Sequence, residues 1–202
     1  MKIDLHVHSS ERSACGKAGE EEQIRAAIAA GLDALVFTDH GKLVPESRLR
    51  QLNQEYAPFR VFSGIEISLG EDILVFGIHD RELEIAQWTY PELHSFVREQ
   101  DGYMVLAHPY RYHPTLYADI DQFPPNGIEI YSNNTPVSWQ PHIHELSQKL
   151  HLTLFSNSDA HKTSVIGAFY NDIPGSPETD REMLQALNDG PVILSSLSQI
   201  CS

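Results

Sequence analysis

Residues 2–8 read Lys2-Ile3-Asp4-Leu5-His6-Val7-His8, a short run in which apolar and polar side chains alternate. This alternation predicts a β-strand, because side chains two positions apart on a strand leave the same face. His6 and His8 then share one face at the end of the strand, where two imidazoles can bind one metal ion. Two polar residues on a solvent-exposed face are the alternative, which the apolar neighbours on the opposite face disfavour.

Four further apolar runs enclose or end on residues of the same types. They are Asp39 and His40 after residues 34–38, Glu66 between two isoleucines, His108 after residues 105–107, and Asp159 and His161 after residues 154–158. A buried, ionised carboxylate costs several kcal/mol unless a cation or hydrogen-bond donors offset it. In a parallel barrel the carboxyl ends of the strands lie on one rim, so these side chains are predicted to converge. Imidazole together with carboxylate suits Zn, Fe or Mn.

Short apolar runs alternate with amphipathic stretches along the chain, which indicates an α/β fold. Strands are predicted over residues 2–7, 34–38, 60–67, 73–78, 103–107, 127–131 and 153–155, with a further candidate at 191–194. Helices are predicted over residues 20–30, 46–56, 91–100, 138–150 and 177–188. The sequence contains no internal repeat or linker, so residues 1–202 are predicted to form a single domain.

Composition and charge exclude several classes of protein. The formal net charge of −14 disfavours a nucleic-acid polymer as a partner, since non-specific affinity for phosphates comes from clustered cations. Bound divalent ions would reverse the local field, so a small phosphorylated substrate is still compatible with this charge.

The sequence shows neither a secretory signal nor a long apolar run, which predicts a soluble, cytoplasmic protein without a membrane anchor. Two cysteines, Cys15 and Cys201, do not make a disulfide framework, and nothing indicates an oligomeric state.

Five motifs, taken in order, resemble the sequential motifs of the PHP (polymerase and histidinol phosphatase) domain family. They are Asp4-Leu-His6-Val-His8, Thr38-Asp39-His40, Gly64-Ile-Glu66, Ala107-His108-Pro109 and Ser158-Asp159-Ala160-His161. The resemblance runs from residue 4 to about residue 161. It implies a distorted, TIM-like (β/α)7 barrel that binds two or three divalent metal ions as a stand-alone phosphoesterase.

The resemblance also implies which residues bind the ions. A first ion is expected to bind the histidine pair of the first strand and two carboxylates, that is, His6, His8, Glu66 and Asp159. Glu66 is expected to bridge to a second ion that also binds His108. Two further residues would complete the third side of the cluster, His40 and His161. Arg111 is similar to an arginine of many members and is expected to bind the substrate phosphate through its planar fork.

Two departures from the family pattern concern the remaining ligands. Many members have an Asp or His five or six residues after the second histidine, whereas this chain reads Glu11-Arg-Ser-Ala-Cys15. Either Cys15 as a thiolate or Glu11 is an alternative ligand there, although a buried, inert thiol is the favoured interpretation of Cys15. Many members also have a histidine just before the fourth strand. This chain has Asp72 instead, which is a candidate ligand.

The predicted function is hydrolysis of a small phosphorylated metabolite or nucleotide by a metal-activated hydroxide. His40 or His161 is expected to protonate the leaving alkoxide, and Arg111, with help from Arg12, to balance charge on the phosphoryl oxygens.

Two alternatives belong to other classes. One is a mononuclear deaminase or amidohydrolase on a similar barrel; its binuclear relatives often need a carboxylated lysine on a middle strand, where none of the five lysines lies. The other is a catalytically inactive, metal-binding regulatory domain, which an incomplete third metal site would favour.

Overall fold

The computed structural model describes residues 1–196 and contains one β-sheet with helices around it. Its nine strands are β1 (Lys2–Val7), β2 (Ala34–Phe37), β3 (Arg60–Ser68), β4 (Asp72–Phe76), β5 (Tyr103–Leu106), β6 (Gly127–Tyr131), β7 (Thr153–Ser156), β8 (Phe169–Asp172) and β9 (Ile193–Ser196). The α-helices of this part of the chain are α1 (Glu20–Ala29), α2 (Glu46–Glu55), α3 (Glu82–Ile85), α4 (Tyr90–Glu99), α5 (Gln140–Leu150) and α6 (Asp180–Asp189).

The strands follow the order β7-β6-β5-β4-β3-β2-β1-β8-β9, in which four of the eight neighbouring pairs are parallel. Two strands are reversed: β4 pairs antiparallel with β3 and β5, and β8 pairs antiparallel with β1 and β9. Beyond β7, Ala160 forms a parallel bridge with Val7, and the amide of His8 donates to its carbonyl at 2.9 Å. This contact joins the segment after β7 to β1, so the sheet is nearly closed into a barrel. The predicted α/β fold and distorted TIM-like barrel are therefore confirmed.

The strands β1 to β6 are mostly buried on both faces, as expected where helices cover a barrel from outside and side chains fill it from inside. All four residues of β2 and all four of β5 are buried. The strand β1 departs from this regularity, because its register against β2 shifts between Asp4 and Val7. Such irregularities often lie beside functional sites, where they change the direction of a side chain.

Most predicted elements are present with slightly different ends. The predicted helix 177–188 begins at Asp180, because the Thr179 side chain caps it by accepting from the amide of Glu182 at 3.2 Å. The predicted helix 138–150 begins with a 3-10 turn (Val137–Trp139) before α5. Neither α3 nor β8 was predicted, because both are short and mix apolar with polar residues. Residues 197–202, with Cys201, lie outside the described residues.

Among residues 1–196, no helix has both the length and the apolar character needed to cross a membrane.

Candidate metal centre

Four side chains meet at the mouth of the barrel, two from the strands β1 and β3 and two from the segments that directly follow β1 and β7. The Nε2 atoms of His6 and His8 lie 3.0 Å apart. The Glu66 carboxylate lies 3.4 Å from Nε2 of His6 and 3.2 Å from Nε2 of His8. Oδ1 of Asp159 lies 3.3 Å and 3.2 Å from the same two nitrogens. Ligand atoms about 2.1 Å from a shared ion are separated by about 3–3.5 Å, so this spacing fits one cation.

A second group shares Glu66 with the first. Nε2 of His108 lies 3.3 Å from Oε1 of Glu66 and 3.8 Å from Oδ2 of Asp72. Because β4 runs antiparallel to its neighbours, its first residue, Asp72, lies on the same rim as the carboxyl ends of the parallel strands. The reversed strand therefore places Asp72 beside Glu66 and His108, as a second cation would require.

Three more predicted residues line the opening. Nδ1 of His40 lies 3.1 Å from Oε2 of Glu66, and Nδ1 of His161 lies 3.4 Å from Oδ1 of Asp159. Nη1 of Arg111 lies 3.4 Å from both Oδ2 of Asp159 and Nε2 of His108. These three side chains keep partial exposure, 39% for His40, 25% for His161 and 30% for Arg111. They can therefore contact a ligand that enters from solvent.

The backbone is strained where two candidate ligands lie. Asp159 has a φ of 51° and His108 a φ of 25°, values that are uncommon for residues other than glycine. Strain of this kind costs of order 1–3 kcal/mol and persists where the surrounding structure enforces it, commonly at functional sites. Both residues follow the ends of strands and turn their side chains into the mouth of the barrel.

The donor set fits divalent cations on the evidence of its own hydrogen bonds. Both carboxylate oxygens of Glu66 and Oδ1 of Asp159 are buried and have no hydrogen-bond partner within residues 1–196. Nδ1 of His6 lies 2.9 Å from Oε1 of Glu129, so this nitrogen carries the proton and Nε2 presents a lone pair to the carboxylates. Lone pairs that face one another in a buried site repel, and a cation between them removes that cost.

The pKa values reflect the same concentration of charge. Burial alone would lower the pKa of His6, but Asp159, Glu129 and Glu66 raise it well above its ordinary value. Burial opposes ionisation of Glu66, yet His6 and His108 hold its pKa well below the usual range. The carboxylates around His6 thus concentrate negative charge that a bound cation would balance.

Glu129 in β6 supports the centre and was not predicted. It is fully buried and accepts from His6 through Nδ1, from Asn157 at 2.7 Å and from the amide of His108 at 2.7 Å. A carboxylate behind a ligating histidine fixes its tautomer and ring orientation. The sequence carried a signal, since Gly127-Ile-Glu129-Ile repeats the Gly-Ile-Glu-Ile pattern that contains Glu66.

Asp39 and Arg12 have structural partners in the same region. Asp39 accepts from the amide of Ser9 at 2.7 Å, from Oγ of Ser13 at 2.8 Å and from Nε of Arg12 at 2.8 Å. Arg12 also pairs with the buried Glu20 at 2.9 Å. The expectation that Arg12 helps to bind phosphate is therefore not supported, because two carboxylates already engage its guanidinium. Asp39 fixes the loop after β1 and lies behind the cluster.

Cys15 also differs from the expectation, since its side chain is exposed. It lies in the loop between β1 and α1, near His8, His40 and His161. The expectation that Cys15 is buried is therefore wrong.

A nearly closed barrel with buried histidines and carboxylates at its mouth is typical of metal-dependent hydrolases. A family model of the PHP domain matches residues 4–201. The chain therefore belongs to the PHP domain family, and the resemblance drawn from the motifs is confirmed. No curated protein matches the sequence.

Several solved structures share the fold at low sequence identity. One is a two-domain protein from Bacteroides vulgatus that contains a predicted PHP-like metal-dependent phosphoesterase; its TM-score is 0.71 at 14% identity, and the match covers 97% of this chain and 64% of that one. A lesion-specific endonuclease from Pyrococcus furiosus, PfuEndoQ, has a TM-score of 0.69 at 17% identity, with 97% and 58% covered. An amidohydrolase from Chromobacterium violaceum has a TM-score of 0.67 at 15% identity, with 98% and 100% covered. At these identities the likeness establishes the fold.

Proposed function

We propose that the protein is a phosphoesterase that hydrolyses a small phosphorylated metabolite or nucleotide with two to three divalent ions, Zn, Mn or Fe. Arg111 is the observation that carries this proposal. Its guanidinium is partly exposed at the edge of the cluster, 3.4 Å from Asp159. An arginine fork matches the oxygens of a phosphate, which carries the negative charge that an amide substrate lacks.

The residues proposed as metal ligands are His6, His8, His40, Glu66, Asp72, His108, Asp159 and His161. Ions held by this set would supply an activated water and polarise the phosphoryl oxygens. Arg111 would bind and orient the phosphate beside them. His40, the most exposed histidine of the group, and His161 are proposed to donate a ring proton to the leaving alkoxide when they are not bound to a metal ion.

A small substrate is favoured over a polymer. The net charge of −14 would repel a nucleic-acid backbone outside the centre. The endonuclease of similar fold has a longer chain, of which the match covers 58%. A nucleotide or a phosphorylated metabolite needs only the metal centre and Arg111 to neutralise its phosphate.

A substrate panel tests this function against its alternatives. The purified protein is first analysed for bound metal and then assayed with Mn, Zn and Fe supplied in turn. Phosphate release from monoesters or diesters is measured beside ammonia release from amino-substituted bases. Phosphate release that depends on metal supports the proposal. Ammonia release without phosphate release would identify the deaminase alternative, and tightly bound metal without either activity would identify a regulatory domain.

Replacement of Arg111 by Gln is expected to lower kcat/KM for a phosphoester roughly tenfold, chiefly through a higher KM. The reason is that a hydrogen bond to a charged group contributes about 1.5–3 kcal/mol, part of which Gln retains. Steady-state kinetics measure the effect, and metal content should stay unchanged. Arg81→Gln is the matched control, because that side chain is 82% exposed and pairs with Glu84 outside the centre. Equal kinetics for both variants would contradict the role given to Arg111.

A further inference from the structure

A separate group of donors lies on the solvent side of the proposed centre. Ligand atoms of His8, Cys15, His40 and His161 all lie within 4.8 Å of one another. Nε2 of His8 already faces Glu66 and Asp159. The other three side chains contain no carboxylate, which separates this group chemically from the two carboxylate-rich groups beneath it.

The loop that carries Cys15 is fastened to both of its histidine partners. The amide of Lys17 donates to the carbonyl of His161 at 2.7 Å. The amide of His40 donates to Oγ of Ser13 at 3.0 Å, and Ser13 in turn donates to Asp39. The position of Cys15 beside the two histidines is therefore built by hydrogen bonds on either side of it in sequence.

Close packing inside the loop holds it further. A Cβ at Gly16 would lie 2.7 Å from the backbone of Ser9, so only glycine allows this approach directly after the cysteine. The amide of Ser10 also donates to the carbonyl of Ala18 at 2.9 Å. The thiol is thus presented by a compact turn and not by a free chain.

His161 is prepared to act as a ligand. Nδ1 of His161 lies 3.1 Å from the carbonyl oxygen of Asp159, and a carbonyl can only accept. The proton therefore lies on Nδ1, and the other ring nitrogen presents its lone pair.

Glu11, the other residue that could have filled this position, is engaged elsewhere. Its Oε2 accepts from the amide of Glu20 at 3.0 Å, at the first turn of α1. This leaves the Cys15 thiol as the side chain of this loop that a metal ion could convert to an anionic ligand by displacing its proton.

We propose that Cys15, as a thiolate, binds a third divalent ion together with His40 and His161. Thiolate and imidazole select Zn²⁺ over Mn²⁺, whereas the carboxylate-rich positions accept Mn or Fe. The proposal rests on the metal centre and is independent of which substrate the protein hydrolyses. It gives the protein two kinds of metal position in one site, one of which depends on the reduced state of a cysteine.

Cobalt(II) titration of the metal-free protein tests the proposal without any substrate. A thiolate ligand gives a sulfur-to-cobalt charge-transfer band in the near ultraviolet, which imidazole and carboxylate do not. The wild-type protein and a Cys201→Ser variant are expected to show this band and to bind one more equivalent of cobalt than Cys15→Ser. The variant Cys15→His is expected to regain that equivalent without the band. The proposal is overturned if the wild type shows no band, or if Cys15→Ser keeps both the band and the extra equivalent.

Thiol protection provides a second measurement that leaves Cys15 in place. In the Cys201→Ser protein, the rate of reaction of the remaining thiol with a disulfide reagent is measured with and without Zn²⁺. Because a metal-bound thiolate is withdrawn from exchange, Zn²⁺ should slow the reaction and Mn²⁺ should slow it less. Equal rates with and without Zn²⁺ would overturn the proposal, while the proposed phosphoesterase activity of the two remaining metal positions would be unaffected.

Discussion

Replacement of Asp159 by Asn is expected to lower phosphoester turnover by about 10³-fold or more and to lower the bound metal with it. Lewis-acid catalysis by an ion contributes several kcal/mol to transition-state stabilisation, and each 1.36 kcal/mol corresponds to tenfold in rate. Turnover and metal content are measured on the same preparations, by phosphate release and by elemental analysis.

The expected size of the loss follows from the number of groups that contact the Asp159 carboxylate. Oδ1 of Asp159 lies within 3.3 Å of the Nε2 atoms of both His6 and His8. Oδ2 accepts from Asn134 at 2.5 Å and from Arg111 at 3.4 Å. An amide has one oxygen where the carboxylate has two, so its NH₂ group must face either the proposed ion or these two donors.

The control for this variant is Asp172→Asn, which makes the same change of atoms far from the centre. Asp172 is 44% exposed and pairs with the amino terminus at 3.1 Å. This variant should keep its metal and its turnover. If Asp159→Asn retained full turnover after its metals had been stripped, the proposed role of the metal centre would be wrong.

The sequence alone predicted that the side chains of the centre lie close together, because their positions depend on local strand geometry. The alternation of residues 3–8 predicted that His6 and His8 share a face, and their Nε2 atoms lie 3.0 Å apart. Glu66, His108 and Asp159 were placed by the rule that parallel strands end on one rim. The structure brings all of them together, although their role as metal ligands is still a proposal.

Other features depend on contacts that the sequence pattern does not encode. The reversal of β4 explains why Asp72 reaches the centre from the beginning of a strand, and alternation alone does not give strand direction. The partners of Arg12 come from residues 8 and 27 positions away, so no local pattern shows that its guanidinium is occupied. The exposure of Cys15 likewise follows from the tertiary position of its loop.

The sequence pattern around Glu129 also indicated a role in the centre, but this residue was not predicted. Its surroundings in sequence match those of Glu66, yet the two carboxylates have different environments. Both oxygens of Glu66 lack hydrogen-bond partners in the described part of the chain, as a metal ligand requires. Those of Glu129 accept hydrogen bonds from His6, Asn157 and His108. The distinction between a ligand and its support is therefore made by tertiary hydrogen bonds.

Replacement of Glu129 by Gln is expected to weaken metal binding by about 100-fold, although Glu129 is not itself a proposed ligand. Groups that orient metal-binding histidines typically affect affinity by about 10–100-fold. The upper end applies because Glu129 orients His6 through Nδ1 and holds the backbone of His108 at the same time. All of its partners are donors, so the NH₂ group of Gln must face at least one N–H.

Metal affinity is measured by competition with a chelator of known affinity, and folding is followed by thermal unfolding of the metal-free protein. The control is Glu20→Gln, which removes a carboxylate that is also buried but pairs with Arg12 and Arg48. Both variants should lose stability, by about 1–3 kcal/mol for an unsatisfied buried group. Only Glu129→Gln should lose affinity for metal. An equal loss of affinity in both would mean that Glu129 acts through general stability and does not orient His6, since a positioning role must separate binding from folding.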